Sequence, residues 1–117
     1  MIEPMENAGV KLLAGSDCGA FNSYVYPGES LHGELNALSK AGLSNAQVLK
    51  SSIINGPEFL DLGDKYGSVE EGKIADLLLL ENNPLENLQN LKEITAVIKS
   101  GKVFTREDLG KMLQDIQ

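Results

Sequence analysis

Apolar positions along this chain cluster in a short block, then recur at helical spacing, cluster again, and end in a helical stripe. The first block, Gly9-Val10-Lys11-Leu12-Leu13-Ala14, is closed by Gly15. A short apolar run of this kind predicts a buried strand near 9–14, covered on both faces as in a parallel sheet. Ser16-Asp17-Cys18-Gly19 follows, then a loop from Ala20 to Glu29 carrying Asn22, Tyr24, Tyr26 and Pro27-Gly28. Leu31, Leu35 and Leu38 predict a helix near 31–41, with Ser30 as its N-cap and Gly42 just past its end. Ser44-Asn45-Ala46-Gln47 matches a capping box, with Leu43 and Val48 as its hydrophobic staple, and opens a second helix near 45–55. Asn55-Gly56-Pro57 should end or kink that helix, with a further turn through Phe59 and Leu60.

Beyond Leu62 the period shortens. Gly63, Gly67 and Gly72 punctuate turns, and Ala75-Asp76-Leu77-Leu78-Leu79-Leu80 predicts a strand near 74–80, bounded by Asn82-Asn83-Pro84. Ala96-Val97-Ile98-Lys99 and Lys102-Val103-Phe104 flank Ser100-Gly101, which predicts a hairpin of strands near 95–99 and 102–104. Leu109, Met112, Leu113 and Ile116 predict a closing helix near 106–116, capped by Thr105 with Asp108 three residues on. The expected organisation is mixed α/β in three stretches: 1–60, 61–104 and 105–117.

Composition narrows the function. The chain has 117 residues, 42% of them hydrophobic, enough for one domain with a core. Ten basic against 17 acidic residues give a net charge of −7, which argues against nucleic acid and anionic membranes as partners. No apolar run approaches the roughly 20 residues of a spanning helix. The acidic N-terminus lacks the basic and apolar regions of a secretory signal, so a cytoplasmic protein is expected. One cysteine, Cys18, and one histidine, His32, cannot make an intrachain disulfide or a His- or Cys-rich zinc site.

Asp17 carries the most chemical information. A carboxylate just past the C-terminal end of a buried strand stands where α/β folds place their chemistry. It can ligate a metal, act as a base, or cap a turn. His32, in the first turn of the first long helix with Asn36 four residues on, is either a contact for whatever lies above Asp17 or a satisfied packing residue. Cys18 reads as an inert thiol rather than a nucleophile, since no third group orients it against His32. Ser16 and Asp17 diverge on an extended segment and so do not form a triad with His32. The glycines from Gly63 to Gly72 match no phosphate loop.

In order and spacing these pieces resemble the metal-dependent amidohydrolase superfamily, in its imidazolonepropionase-like and prolidase-like branch. Ala8-Gly9-Val10-Lys11-Leu12-Leu13-Ala14-Gly15-Ser16-Asp17 is similar to the eighth barrel strand of that family. Leu31-His32-Gly33-Glu34-Leu35 and Ala41-Gly42-Leu43-Ser44 are similar to the helical segment after it. Gly67-Ser68-Val69-Glu70-Glu71-Gly72-Lys73-Ile74-Ala75-Asp76-Leu77 resembles the return from the barrel into the small β-domain. Asn83-Pro84-Leu85 and Val97-Ile98-Lys99-Ser100-Gly101-Lys102-Val103 complete the pattern. The resemblance implies the last strand–helix units of a (β/α)8 barrel plus the C-terminal part of the small β-domain, ending in a helix. A whole barrel needs about 250 residues.

The resemblance further implies a hydrolase of C–N bonds (amide, peptide or cyclic amide) in a small-molecule or peptide-like substrate. It gives Asp17 the roles of ligand to a divalent metal, zinc, and of proton acceptor from the attacking water. Ser16 stands where the family often has threonine, which keeps the hydroxyl. Asn22 and His32 are the candidates for substrate contact. The family's His-x-His, bridging residue and later histidine ligands have no counterpart here. The expectation is therefore a C-terminal fragment, without stoichiometric metal on this chain alone. Such a fragment would self-associate or join an upstream barrel portion. The alternative is a non-catalytic binding or assembly module built on the same scaffold.

Overall fold

A computed structural model of the chain describes residues 2–19 and 24–115. The element order is helix α1 (Ile2–Asn7), α2 (Glu29–Lys40), α3 (Asn45–Ile53), α4 (Asn55–Phe59), strand β1 (Leu77–Leu80), a 3₁₀ turn (Leu88–Lys92), β2 (Ile94–Lys99), β3 (Lys102–Thr105) and α5 (Arg106–Gln114). The chain forms two compact units, Met1–Ser68 and Val69–Gln117.

In the first unit the expected strand near 9–14 is not a strand. Residues 10–17 run as an extended segment with no ladder partner among the described residues. A strand is defined by its neighbours, and an apolar sequence cannot supply them. The segment still alternates as an extended chain must: Leu12, Ala14 and Ser16 are half-buried, while Lys11, Leu13, Gly15 and Asp17 are exposed. Two groups hold its backbone. The amide of Ala14 donates to the Ser51 carbonyl at 3.2 Å. Asn55, only 2% exposed, donates from Nδ2 to the Leu12 carbonyl at 2.8 Å. Ser51 and Asn55 lie four residues apart, so they present one face to the segment.

The helices are built by local chemistry. Gly42, at φ 109°, ends α2 in a Schellman motif: its amide reaches the Ser39 carbonyl at 3.0 Å and the Leu43 amide reaches Leu38 at 3.3 Å. Ser44 caps α3 in the expected box with Gln47, and Leu43 and Val48, at the staple positions, are buried. Leu35, Leu38, Leu43, Val48 and Leu49 make the apolar core of this unit. The break falls at Ile54, and Pro57 sits in the first turn of α4, where its missing N–H does no harm. That missing N–H would otherwise have approached the Ile53 carbonyl. Gly67 comes close to this carbonyl instead: at φ 97°, a Cβ on it would lie 3.3 Å from the Ile53 oxygen. No residue with a side chain fits there without strain.

The expected helix start at Ser30 is also corrected. Pro27-Gly28 forms the turn, Gly28 at φ 87° is the N-cap, and no side chain caps α2. The helix α1 was not anticipated from the acidic N-terminus.

In the second unit the predicted strands appear as a three-stranded antiparallel sheet, β1-β2-β3. β1 pairs β2 with a register shift between Leu79 and Leu80, and this bulge breaks the in–out alternation of the four leucines. β2 and β3 form the expected hairpin, with Ser100 at φ 50° and Gly101 at φ 79°, both positive as a type I′ turn demands. Asp76 holds the turn from outside: its Oδ1 accepts from the Ser100 amide at 2.7 Å and its Oδ2 pairs with Lys99. Thr105 caps α5 in a box with Asp108, as expected, and α5 packs on β2 and β3. Ile116, the last residue of its expected stripe, lies outside the described residues.

Two outcomes are expected. Ser44→Ala removes a cap and half of a capping box, and should lower stability in urea by about 1 kcal/mol. The second concerns Asp76, whose carboxyl is held below its usual range first by Lys99 and then by the Ser100 amide. A folded-state pKa below the unfolded value means that the bonds stabilise above the unfolded pKa of about 3.9. That stabilisation is lost as pH falls through the lower, folded value. Amide exchange at Ser100 should therefore accelerate relative to its intrinsic rate below about pH 4 and remain protected near neutrality.

Candidate functional site

Asp17 ends the extended segment. Its φ of 48° is left-handed, and Gly19 at φ 82° continues the reversal, so the chain turns sharply out of the extended run. Left-handed backbone costs an ordinary residue about 1–3 kcal/mol, less for aspartate, and persists only where the surroundings enforce it. Among the described residues, contacts on its N-terminal side hold the chain that leads into it. Ser51 and Asn55 fix Ala14 and Leu12, and the Ser30 hydroxyl donates to the Ser16 Oγ at 2.9 Å. Ser30 is the second residue of α2, so this bond joins the first turn of that helix to the residue before Asp17.

The Asp17 side chain is exposed, and so is Cys18. Ser16 is half-buried on the opposite side of the segment, which separates its hydroxyl from the Asp17 carboxylate. His32 is half-buried on α2. Two residues from Ser30, it points to a different face of the helix, and three from the buried Leu35 it shares that residue's side. Asn36 donates from Nδ2 to the His32 backbone carbonyl at 2.8 Å, a contact within the helix that leaves the ring out. Asn22 lies outside the described residues.

Lys11 donates to the Glu58 carboxylate at 2.6 Å, tying the start of the segment to α4. The lysine holds the Glu58 carboxyl below its usual range. A cavity of about 190 Å³ lies at this end, lined by Glu6, Gly9, Val10, Lys11, Lys50 and Asn55. It takes in neither Asp17 nor His32.

Two residues that shape the site escaped the sequence reading. Ser30 looked like a cap, although the Pro27-Gly28 turn already fixes the helix start one residue earlier. Asn55 looked like a helix breaker, and only its burial discloses the clamp on Leu12.

An exposed carboxylate at the end of an extended segment suits a divalent cation as a donor. Among the described residues no group of three His, Cys, Asp or Glu side chains could hold a metal ion. Asp17 is the candidate oxygen ligand on this segment.

Ochratoxinase from Aspergillus niger is 32% identical over 115 residues, covering 92% of this chain and 22% of that protein. Imidazolonepropionase from Kosmotoga olearia is 31% identical over 74 residues, covering 61% of the chain and 18% of the relative. Among solved structures, one of the prolidase type from Bifidobacterium longum superposes with a TM-score of 0.77 at 30% identity. It covers 96% of this chain and 28% of that one. The chain thus spans about a fifth to a quarter of the length of these relatives, and the likeness supports an α/β fragment of the same fold. Residues 1–104 match the model of the amidohydrolase family, and with nearly the full length accounted for in this way, the chain belongs to the amidohydrolase family.

Proposed function

We propose that this chain contributes the Asp17 carboxylate to a metal-dependent amidohydrolase that hydrolyses a C–N bond (amide, peptide or cyclic amide) in a small-molecule or peptide-like substrate. The observation that carries the reading is the place of Asp17: exposed, left-handed, and at the end of the extended segment that the family match includes. The likeness to a prolidase supports a peptide-like substrate. A divalent cation such as zinc, when bound, supplies Lewis acidity and makes water a competent nucleophile near neutral pH. Asp17 contributes one of the ligands and accepts the proton that the attacking water gives up. The segment behind it, clamped by Ser51 and Asn55, holds the carboxylate still. Asn22 and His32 are the candidates for substrate contact in this reading, His32 from the first turn of α2. The remaining ligands come from an upstream barrel portion.

In the assembled enzyme Asp17→Asn should lower kcat by at least about 100-fold while far-UV circular dichroism stays unchanged. The variant keeps the shape and loses the charge and the basicity. Near-normal turnover would remove Asp17 from the mechanism.

Exposed apolar residues favour a second reading, an assembly module without chemistry. Val10 and Leu13 are each 44% exposed on the extended segment, and Phe59 is 73% exposed on α4. Surfaces of this kind tend to acquire partners. Light scattering on the 117-residue chain should give a mass above that of the monomer of 12.6 kDa. A monodisperse monomer would discard self-association.

A further inference from the structure

Among the described residues, the Ser30–Ser16 bond reaches the residue next to Asp17 from 14 positions along the chain. Its donor stands at an unusual post. A serine at the start of a helix ordinarily turns its oxygen to the helix's own free amides. Here Gly28 is the N-cap, α2 starts at Glu29 with no side-chain cap, and the Ser30 hydroxyl reaches back 14 residues to Ser16. At the helix start the Ser30 amide donates to the Tyr26 carbonyl at 3.1 Å and the Leu31 amide to Gly28 at 3.2 Å. The hydroxyl is therefore not needed where local chemistry would use it. It is used at the strained residue's doorstep.

The consequence follows from backbone geometry. Asp17 at φ 48° sits in a well that an aspartate leaves readily once it is free to do so. Ser16 shares a peptide plane with Asp17, so anchoring the Ser16 side chain fixes the plane against which the Asp17 φ is set. Relaxation to extended backbone, at φ near −120°, would swing the Cα–Cβ bond and carry the carboxylate away from its present direction. Ser51 and Asn55 cannot prevent this by themselves, because their contacts end at Ala14 and Leu12.

We infer that Ser30 is a positioning residue: through its hydrogen bond to Ser16 it holds Asp17 in the left-handed conformation that directs the carboxylate at the reacting centre. The inference rests on the role proposed for Asp17, and it acts through Ser16 rather than by touching substrate or metal. It further assigns the first turn of α2 a mechanical task, since any shift of that turn is passed to Asp17 through one hydroxyl pair.

The test uses Ser30→Ala, Ser30→Thr and Ser16→Ala, each read in two ways. On the 117-residue chain, a strong intraresidue amide–Hα nuclear Overhauser peak reports the positive φ of Asp17. In the assembled enzyme, kcat and KM are measured per folded molecule. Ser30→Ala and Ser16→Ala should lose the strong peak and lower kcat about 10- to 100-fold, with KM within about twofold. Ser30→Thr, which retains the hydroxyl, should restore both.

A peak that persists in the alanine variants overturns the inference. So does an unchanged kcat per folded molecule, even with a lowered melting temperature, because that pattern marks a bond of structural worth only. Failure of threonine to rescue also overturns it. Asp17→Asn separates the levels: if that variant keeps its turnover, the role of Asp17 falls, and the Overhauser peak still decides whether Ser30 sets its backbone.

Discussion

An extended segment without strand neighbours must find hydrogen-bonding partners elsewhere, and in this chain the helix pair α3–α4 supplies them. The Ser51 carbonyl takes the Ala14 amide and the Asn55 amide takes the Leu12 carbonyl. Everything at the candidate site is downstream of that clamp. It sets the alternation by which Ser16 faces inward and Asp17 outward, and it brings Ser16 within reach of α2. The clamp also carries an unfilled valence: Asn55 Oδ1 is buried without a hydrogen-bond partner among the described residues. An orphaned buried acceptor costs about 1–3 kcal/mol. The same side chain that secures Leu12 therefore sacrifices part of its own stabilisation.

The parts of the fold that could be read from the sequence are those governed by neighbours along the chain. The capping boxes at Ser44 and Thr105, the stop at Gly42 and the type I′ turn at Ser100-Gly101 each depend on a few adjacent residues, and each is present. The strand expected near 9–14 depends on partners far away in sequence, and its apolar composition describes a burial that the described residues do not provide. Ser30 misled for a related reason. Local rules give a serine before a leucine stripe the task of a cap, whereas its partner, Ser16, is 14 residues distant. The four leucines of β1 announced a strand, and the bulge at Leu79 and Leu80 is a property of the pairing with β2.

The candidate site divides in the same manner. That a carboxylate should stand at the end of the first apolar run was legible, because strand ends are where such folds present side chains. The left-handed backbone of Asp17 was not, since aspartate gives no such signal as glycine does. His32 stood out by scarcity, yet its place beside Leu35 on α2 shows packing as much as exposure. A single carboxylate also limits what the residues can do together, for one oxygen ligand polarises nothing until others converge on the same ion.

Gly67 has a bearing on how this sequence can vary. Its left-handed φ and the Ile53 carbonyl 3.3 Å from where a Cβ would stand put strain on every larger side chain. The Pro57 Cβ lies 3.9 Å from the same point, so the proline and the glycine meet beside that carbonyl. Every glycine codon tolerates any base at its third place and none other at its first two. At Gly67 each missense change in those two bases brings a side chain up against a backbone oxygen. A codon change there thus meets strain that the same change at the exposed Val69 does not.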